Sequence, residues 1–392
     1  MRLRHVLPLL AATVLAGCGT FADPTRWLGS YTVEKPTELG PAPTRLGVST
    51  VWSTDTGSGT EGQRLNLVAR VDGDRVYTAD ADGRVVAVDS GSGRVVWQTE
   101  TKLDVTGGPG VGEGMVLVGT SNAEVAALDA ATGALRWTTR VSSEVLAAPA
   151  AAQGTVVIHT MDGRLAGHDA ADGKARWLYD RLASGLGLRG SSSPVIVGSR
   201  AVSGMAGGKL VAIELANGAP AWETTVTVPS GRSELARVVD IAGDPLVALG
   251  NIYVGTYNAE VASVDPGSGQ VGWRKKLSSY AGLAADSRAV YASDDRGVVW
   301  ALDAHSGAAL WKQEGLRARR LSGPAAVGDY VVVGDFEGYV HWLSAHDGSF
   351  VARSRVGSAP ITAQPQAVGT TVFVLGDKGD LAALRPAGGA AN

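Results

Sequence analysis

Residues 88–97 read VDSGSGRVVW, with an acid at Asp89, a glycine four places on at Gly93 and a tryptophan four places further at Trp97. The same spacing returns in LDAATGALRW (Asp129, Gly133, Trp137) and HDAADGKARW (Asp169, Gly173, Trp177). It recurs as Glu214, Gly218, Trp222, as Asp265, Gly269, Trp273 and as Asp303, Gly307, Trp311. A degenerate copy, Ser344, Gly348, Ala352, comes last. The final column falls at 97, 137, 177, 222, 273, 311 and 352, at intervals of 40, 40, 45, 51, 38 and 41 residues. A period near 40 made of short β-rich runs is the signature of a β-propeller, one four-stranded blade to each repeat.

The strands are readable inside one unit. Residues 76–79 are apolar and β-rich, Ala81-Asp82-Gly83 turns the chain, 85–88 form the next strand, 90–93 turn again, and 95–98 carry the tryptophan. An apolar stretch precedes each set, at 67–71, 246–249 and 325–327 for example. The glycines supply the positive φ that tight hairpins require. The final unit has strands at 372–375 and 381–384 but no tryptophan strand, whereas 48–53 carries Trp52 with no blade before it. Trp52 lies 45 residues before Trp97, in step with the rest. The expected fold is therefore all-β, an eight-bladed β-propeller of four-stranded antiparallel blades. The N-terminal strand completes the last blade, which removes two exposed edges. Burying a tryptophan represents about 4–6 kcal/mol of gross hydrophobic stabilisation. Seven such residues at equivalent positions read as inter-blade packing, with the acid and glycine fixing the turn; seven equivalent catalytic sites make no chemical sense.

Composition narrows the function. Of 392 residues 45% are hydrophobic, 19% charged and 53 are glycine, a globular chain rich in turns. Residues 1–17 hold Arg2 and Arg4, an apolar run and a small-residue cleavage site ending Leu15-Ala16-Gly17, the form of a secretory signal too short to span a bilayer. Without it the chain keeps 33 basic and 38 acidic residues, a net charge of −5, which excludes the basic excess of a nucleic-acid binder. The single cysteine, Cys18, rules out an intrachain disulfide and any multi-cysteine metal site. Its setting resembles the lipobox of bacterial lipoproteins, which implies a covalent lipid on Cys18; Gly19 in place of Asp implies sorting to the outer membrane. The proline-bearing stretch 18–45 reads as the lipidated N-terminus and tether, 46–386 as the propeller and 387–392 as a flexible tail.

No catalytic motif stands out. His159, His168, His305 and His341 form no metal-binding pair with one another or with His346, and GGKL at 207–210 lacks the spacing of a phosphate-binding loop. GPGVGEG at 108–114 reads as a turn-rich connection. The acidic turns at 80–83 and 293–295 lack the remainder of a calcium loop and read as hairpin turns. The expectation is no catalytic residue, no metal ligand and no cofactor apart from the lipid.

The repeats resemble those of the pyrroloquinoline-quinone (PQQ)-type propellers, which include quinone-dependent dehydrogenases. The adjacent cysteines that many of those enzymes place beside the quinone have no counterpart after Cys18. Local strings are more similar to the BamB family of outer-membrane assembly lipoproteins. They are TVWSTDTGSG at 50–59, VYTADADGRVVAVD at 76–89, GLGLRGSSSP at 185–194 and the stretch 311–344. The resemblance implies a non-enzymatic scaffold on the periplasmic face of the outer membrane. Its partner would be the periplasmic (POTRA) domains of BamA, the barrel assembly subunit, and unfolded outer-membrane proteins its further clients. The alternative is a periplasmic PQQ-dependent dehydrogenase. In the BamB family a Leu-x-Leu-Arg segment and acids from the next long connection form the docking patch. Here those positions are Leu186, Leu188, Arg189 and Asp240; the second acid of the family pattern is Ala242. The residues alone add that both connections are long and that the excess of the 51-residue interval lies in 226–246. Long loops on a rigid scaffold are where binding resides.

Overall fold

The glycine column sets the local geometry. Gly93, Gly133, Gly173, Gly218, Gly269, Gly307 and Gly348 all have φ between 71° and 75°, where a Cβ is disfavoured. The acid four residues earlier closes the turn from its side chain: Asp89 Oδ1 accepts from the Ser92 amide at 2.8 Å and its hydroxyl at 2.6 Å. Asp265 with Ser268 and Asp303 with Ser306 repeat the arrangement. In the second repeat Arg136 and Thr132 together hold the Asp129 carboxyl at about 2, the Arg136 hydrogen bond contributing most.

The computed structural model describes residues 34–180, 192–230, 233 and 237–387. Their strands form eight sheets, the blades, of which blades 1 to 7 span 70–100, 105–140, 150–180, 195–225, 246–276, 283–313 and 325–355. Blade 8 combines Gln366–Val368, Thr371–Leu375 and Asp380–Pro386 with Val48–Asp55 as its outermost strand. The closing pair runs antiparallel from Val48 opposite Pro386 to Asp55 opposite Asp380. Innermost strands touch in ring order, and that of blade 8 meets that of blade 1. The chain is an eight-bladed propeller closed by its N-terminal strand, as the repeat requires.

Within a blade the second and third strands are apolar and buried, because neighbouring blades cover both faces. Arg75–Ala79 and Arg84–Asp89 are buried throughout except at their ends. The outermost strand alternates instead: in Val95–Glu100 only Trp97 is buried. The eight hydrophobic clusters of the described residues each join two adjacent blades. One unites Met115, Leu117 and Trp137 of blade 2 with Val156 and Ile158 of blade 3.

Each column tryptophan lies on the glycine turn of the following blade. A Cβ placed on Gly93, Gly133, Gly173, Gly218, Gly269, Gly307 or Gly348 would come within 2.5–2.7 Å of the ring of Trp52, Trp97, Trp137, Trp177, Trp222, Trp273 or Trp311 respectively. Each indole Nε1 then donates, at 2.8–3.0 Å, to the carbonyl one residue after the acid position of that blade. The degenerate seventh copy is explained by the ring seam. Blade 8 has no hairpin between its two outermost strands, since they come from opposite ends of the chain, so no glycine turn receives a tryptophan from position 352. Thr44 pairs with Ala352 instead, and the Leu46 amide donates to the Val351 carbonyl at 3.0 Å.

Three local readings change. GPGVGEG is mostly strand rather than connection, because Val105–Gly112 is the innermost strand of blade 2. Its glycines admit the next blade: a Cβ on Gly110 would lie 1.8 Å from the Pro149 carbonyl oxygen. The apolar stretch at 67–71 divides, with Arg70–Asp72 serving blade 1 while Asn66–Leu67 joins blade 2 as a fifth, parallel strand. Residues 37–45, read as the end of the tether, follow the rim of blades 6 and 7, with Thr37 bonded to Arg317 and Arg353 donating to the Gly40 carbonyl.

Candidate docking surface

The connections expected to carry binding leave blades 3 and 4 at the end of the ring where the innermost strands begin. Leu186, Leu188 and Arg189 lie outside the described residues, as does Cys18. The first connection returns at Ser192 and Ser193, both buried. Ser192 offers its carbonyl to His159 Nδ1 at 2.9 Å. The Ser193 amide donates to Asp244 Oδ1 at 2.7 Å, tying the end of the first connection to the end of the second.

In the second connection Val238, Val239 and Ile241 are buried, so this segment is folded into the ring rather than loose above it. Ile241 fills the space left by Gly204, where a Cβ would meet its Cγ2 at 2.3 Å. Asp240 is only 6% exposed. Its Oδ1 accepts from the Gly207 amide and its carbonyl from the Tyr257 amide, both at 2.9 Å. Asp240 thus braces its connection against turns of blades 4 and 5.

Two further features of this end were not apparent in the sequence. Tyr280, 48% exposed, stands edge-on to Tyr257 at 6.0 Å, next to the residue that bonds Asp240. Arg70 of blade 1 reaches Asp244 Oδ2 at 3.1 Å across the axis. That axis is a channel of about 580 Å³ lined by the innermost strands of all eight blades. Arg70, Asp72 and Asp244 are the charged residues of its lining.

Among the described residues no group of three or more His, Cys, Asp or Glu is placed to hold a metal. His159 and His168 are buried and bonded to backbone carbonyls. His341 donates from Nε2 to Asp335 inside blade 7, away from the channel lining.

A family model described as outer membrane protein assembly factor BamB matches residues 48–104, 81–313 and 295–391, nearly the whole propeller. The outer membrane protein assembly factor BamB of Alkalilimnicola ehrlichii is 47% identical over 382 residues, covering 97% of each chain. The chain belongs to the BamB family of outer membrane protein assembly factors. The crystal structure of BamB from Moraxella catarrhalis superimposes with a TM-score of 0.78 at 26% identity, covering 86% of this chain and all of that one. The quinohemoprotein alcohol dehydrogenase of Comamonas testosteroni shares the fold alone: TM-score 0.67, 14% identity, 88% of this chain and 77% of that enzyme. Membership of the BamB family decides between scaffold and dehydrogenase in favour of the scaffold.

Proposed function

We propose that this BamB-family propeller is held by a lipid on Cys18 at the periplasmic face of the outer membrane, where it docks on the POTRA domains of BamA and assists insertion of outer-membrane proteins. Family membership over 97% of the chain is the observation that carries this reading. The docking surface is the end of the ring bearing the two long connections. Leu186, Leu188 and Arg189 supply apolar contact and a guanidinium suited to a bidentate pair with a partner carboxylate. Asp240 contributes from beneath, keeping the second connection in place through Gly207 and Tyr257. Outermost strands other than that of blade 7, whose edge the segment at 44–46 pairs, offer an edge to an extended client segment, by strand addition.

C-terminally tagged full-length protein, recovered from gently solubilised outer membrane, is expected to bring the barrel assembly complex with it. The Arg189→Glu protein should melt normally and lose that partner, since charge reversal at an interface costs several kcal/mol. Recovery of the complex by both proteins would move the site elsewhere. Recovery by neither would overturn the scaffold reading.

A further inference from the structure

We propose that Arg70 is a positioning residue for the docking surface, holding its second connection from the opposite side of the ring. This inference rests on the docking reading for its consequence but on geometry alone for its mechanism. In a ring of eight, blades 1 and 5 stand opposite each other. Arg70 opens the innermost strand of blade 1, and Asp244 immediately precedes Pro245 and the innermost strand of blade 5, Leu246–Ala248. The guanidinium crosses the channel and places Nη2 3.1 Å from Asp244 Oδ2. The other carboxylate oxygen accepts from the Ser193 amide at 2.7 Å. Asp244 is therefore a three-way junction joining blade 1, the return of the first long connection and the end of the second.

Four residues upstream, Asp240 makes the bonds to Gly207 and Tyr257 that fix the rest of the connection. The segment between them is short and includes Gly243, whose backbone lies against Tyr280 and Gly282. A displacement at Asp244 is thus passed to Asp240 and to the aromatic pair beside it. The ion pair is about one-third exposed on each side, so its general contribution to stability is small. Its effect is local: it sets where one loop sits.

The test is hydrogen exchange on the full chain, read at the amides of Ser193, Gly207 and Tyr257, with the Gly133 amide of the distant blade 2 turn as control. Arg70→Met keeps the aliphatic stem and removes the charge. It should speed exchange at the three amides about fivefold, the equivalent of a partly exposed pair, and leave the control and the melting temperature unchanged. Arg70→Lys should restore protection to within about twofold, since it retains a cation on a similar stem. Salt near 1 M should bring the wild type toward Arg70→Met, because it screens the pair. Affinity for the soluble POTRA fragment of BamA is expected to fall by a similar factor in Arg70→Met and to recover in Arg70→Lys. Unchanged exchange at the three amides would overturn the positioning role. Faster exchange with undiminished affinity would leave that role standing and remove the second connection from the docking surface.

Discussion

Trp137→Ala is expected to lower stability by about 3–5 kcal/mol, read as a clear drop in the denaturant midpoint. Trp137 is 7% exposed and is the largest side chain of the cluster between blades 2 and 3. Its removal opens a cavity bounded by Met115, Leu117, Val156 and Ile158 and leaves the Ala170 carbonyl without its indole donor. The substitution also uncovers the Gly173 turn on which the ring lies. A second substitution separates packing from turn geometry. Gly173→Ala in the parent chain suffers a φ of +74° and a Cβ 2.7 Å from the indole Cε3. In the Trp137→Ala background only the backbone penalty, about 1–3 kcal/mol, remains. The two changes should therefore cost less together than the sum of their separate effects. Strict additivity, or an unchanged midpoint for Trp137→Ala, would remove the tryptophan from the inter-blade role.

The same pairing explains why the fold is legible in the sequence. A tryptophan, the glycine that receives it one blade later and the acid that shapes the glycine's turn are each demanded by local geometry, so they survive in register through blades that share little else. The missing tryptophan at 352 is as informative as those present, because it falls where the chain ends meet and no hairpin exists. Val105–Gly112 was harder to read. Its glycines look like turn residues, but they answer to the close approach of Leu146, Pro149 and Ala151 from the next blade, a tertiary demand with no local signature. The crossing of Asn66–Leu67 to blade 2 is equally invisible, since a two-residue parallel pairing has no periodicity to display.

The candidate site was legible only in part, for a related reason. Loop length marks which end of the ring is elaborated, and the BamB resemblance selects Leu186, Leu188, Arg189 and Asp240. What the acid at 240 does is decided by depth. It is a brace because Gly207 and Tyr257, from separate turns, converge on it. The Arg70–Asp244 pair joins residues 174 positions apart, and only ring closure brings them together. The elaborated end therefore combines one framework acid, one cross-axis ion pair and an exposed tyrosine on a scaffold of eight packed interfaces.

Arg319→Met should be comparably damaging, at about 3–5 kcal/mol, because it strands a buried carboxylate. Arg319 Nε donates to Asp335 Oδ2 at 2.8 Å, and His341 Nε2 donates to the same oxygen at 2.9 Å. Asp335 Oδ1 accepts from the amides of Glu337 and Tyr339, so every lone pair of this fully buried group is directed at a donor. Arg319 also pairs with Glu337, covers Phe336 at 5.0 Å and donates to the Thr37 carbonyl at 3.0 Å, fixing the start of the rim segment. Asp335→Asn keeps an acceptor for the two amides while removing the charge, so it should recover part of the loss when added to Arg319→Met. An equal or greater loss in the double variant would locate the damage in packing instead. The cluster also gives stability a pH dependence. Burial pushes the pKa of His341, and of His159, below the ordinary imidazole value, despite the opposing Asp335 bond to His341 and Ser192 bond to His159. Below about pH 6.5 the unfolded chain thus binds protons that the folded chain refuses, and stability falls. For Asp335 burial raises the pKa, but the donors His341 and Arg319 outweigh it and hold the carboxyl below its usual range. Its contribution is present above about pH 4 and is lost as the pH falls further. Melting temperatures from pH 8 down to about pH 2 should therefore decline in two stages, the second below about pH 4. His341→Gln should reduce the slope of the first and leave the part due to His159, and a slope that persists unchanged would place the titrating group elsewhere.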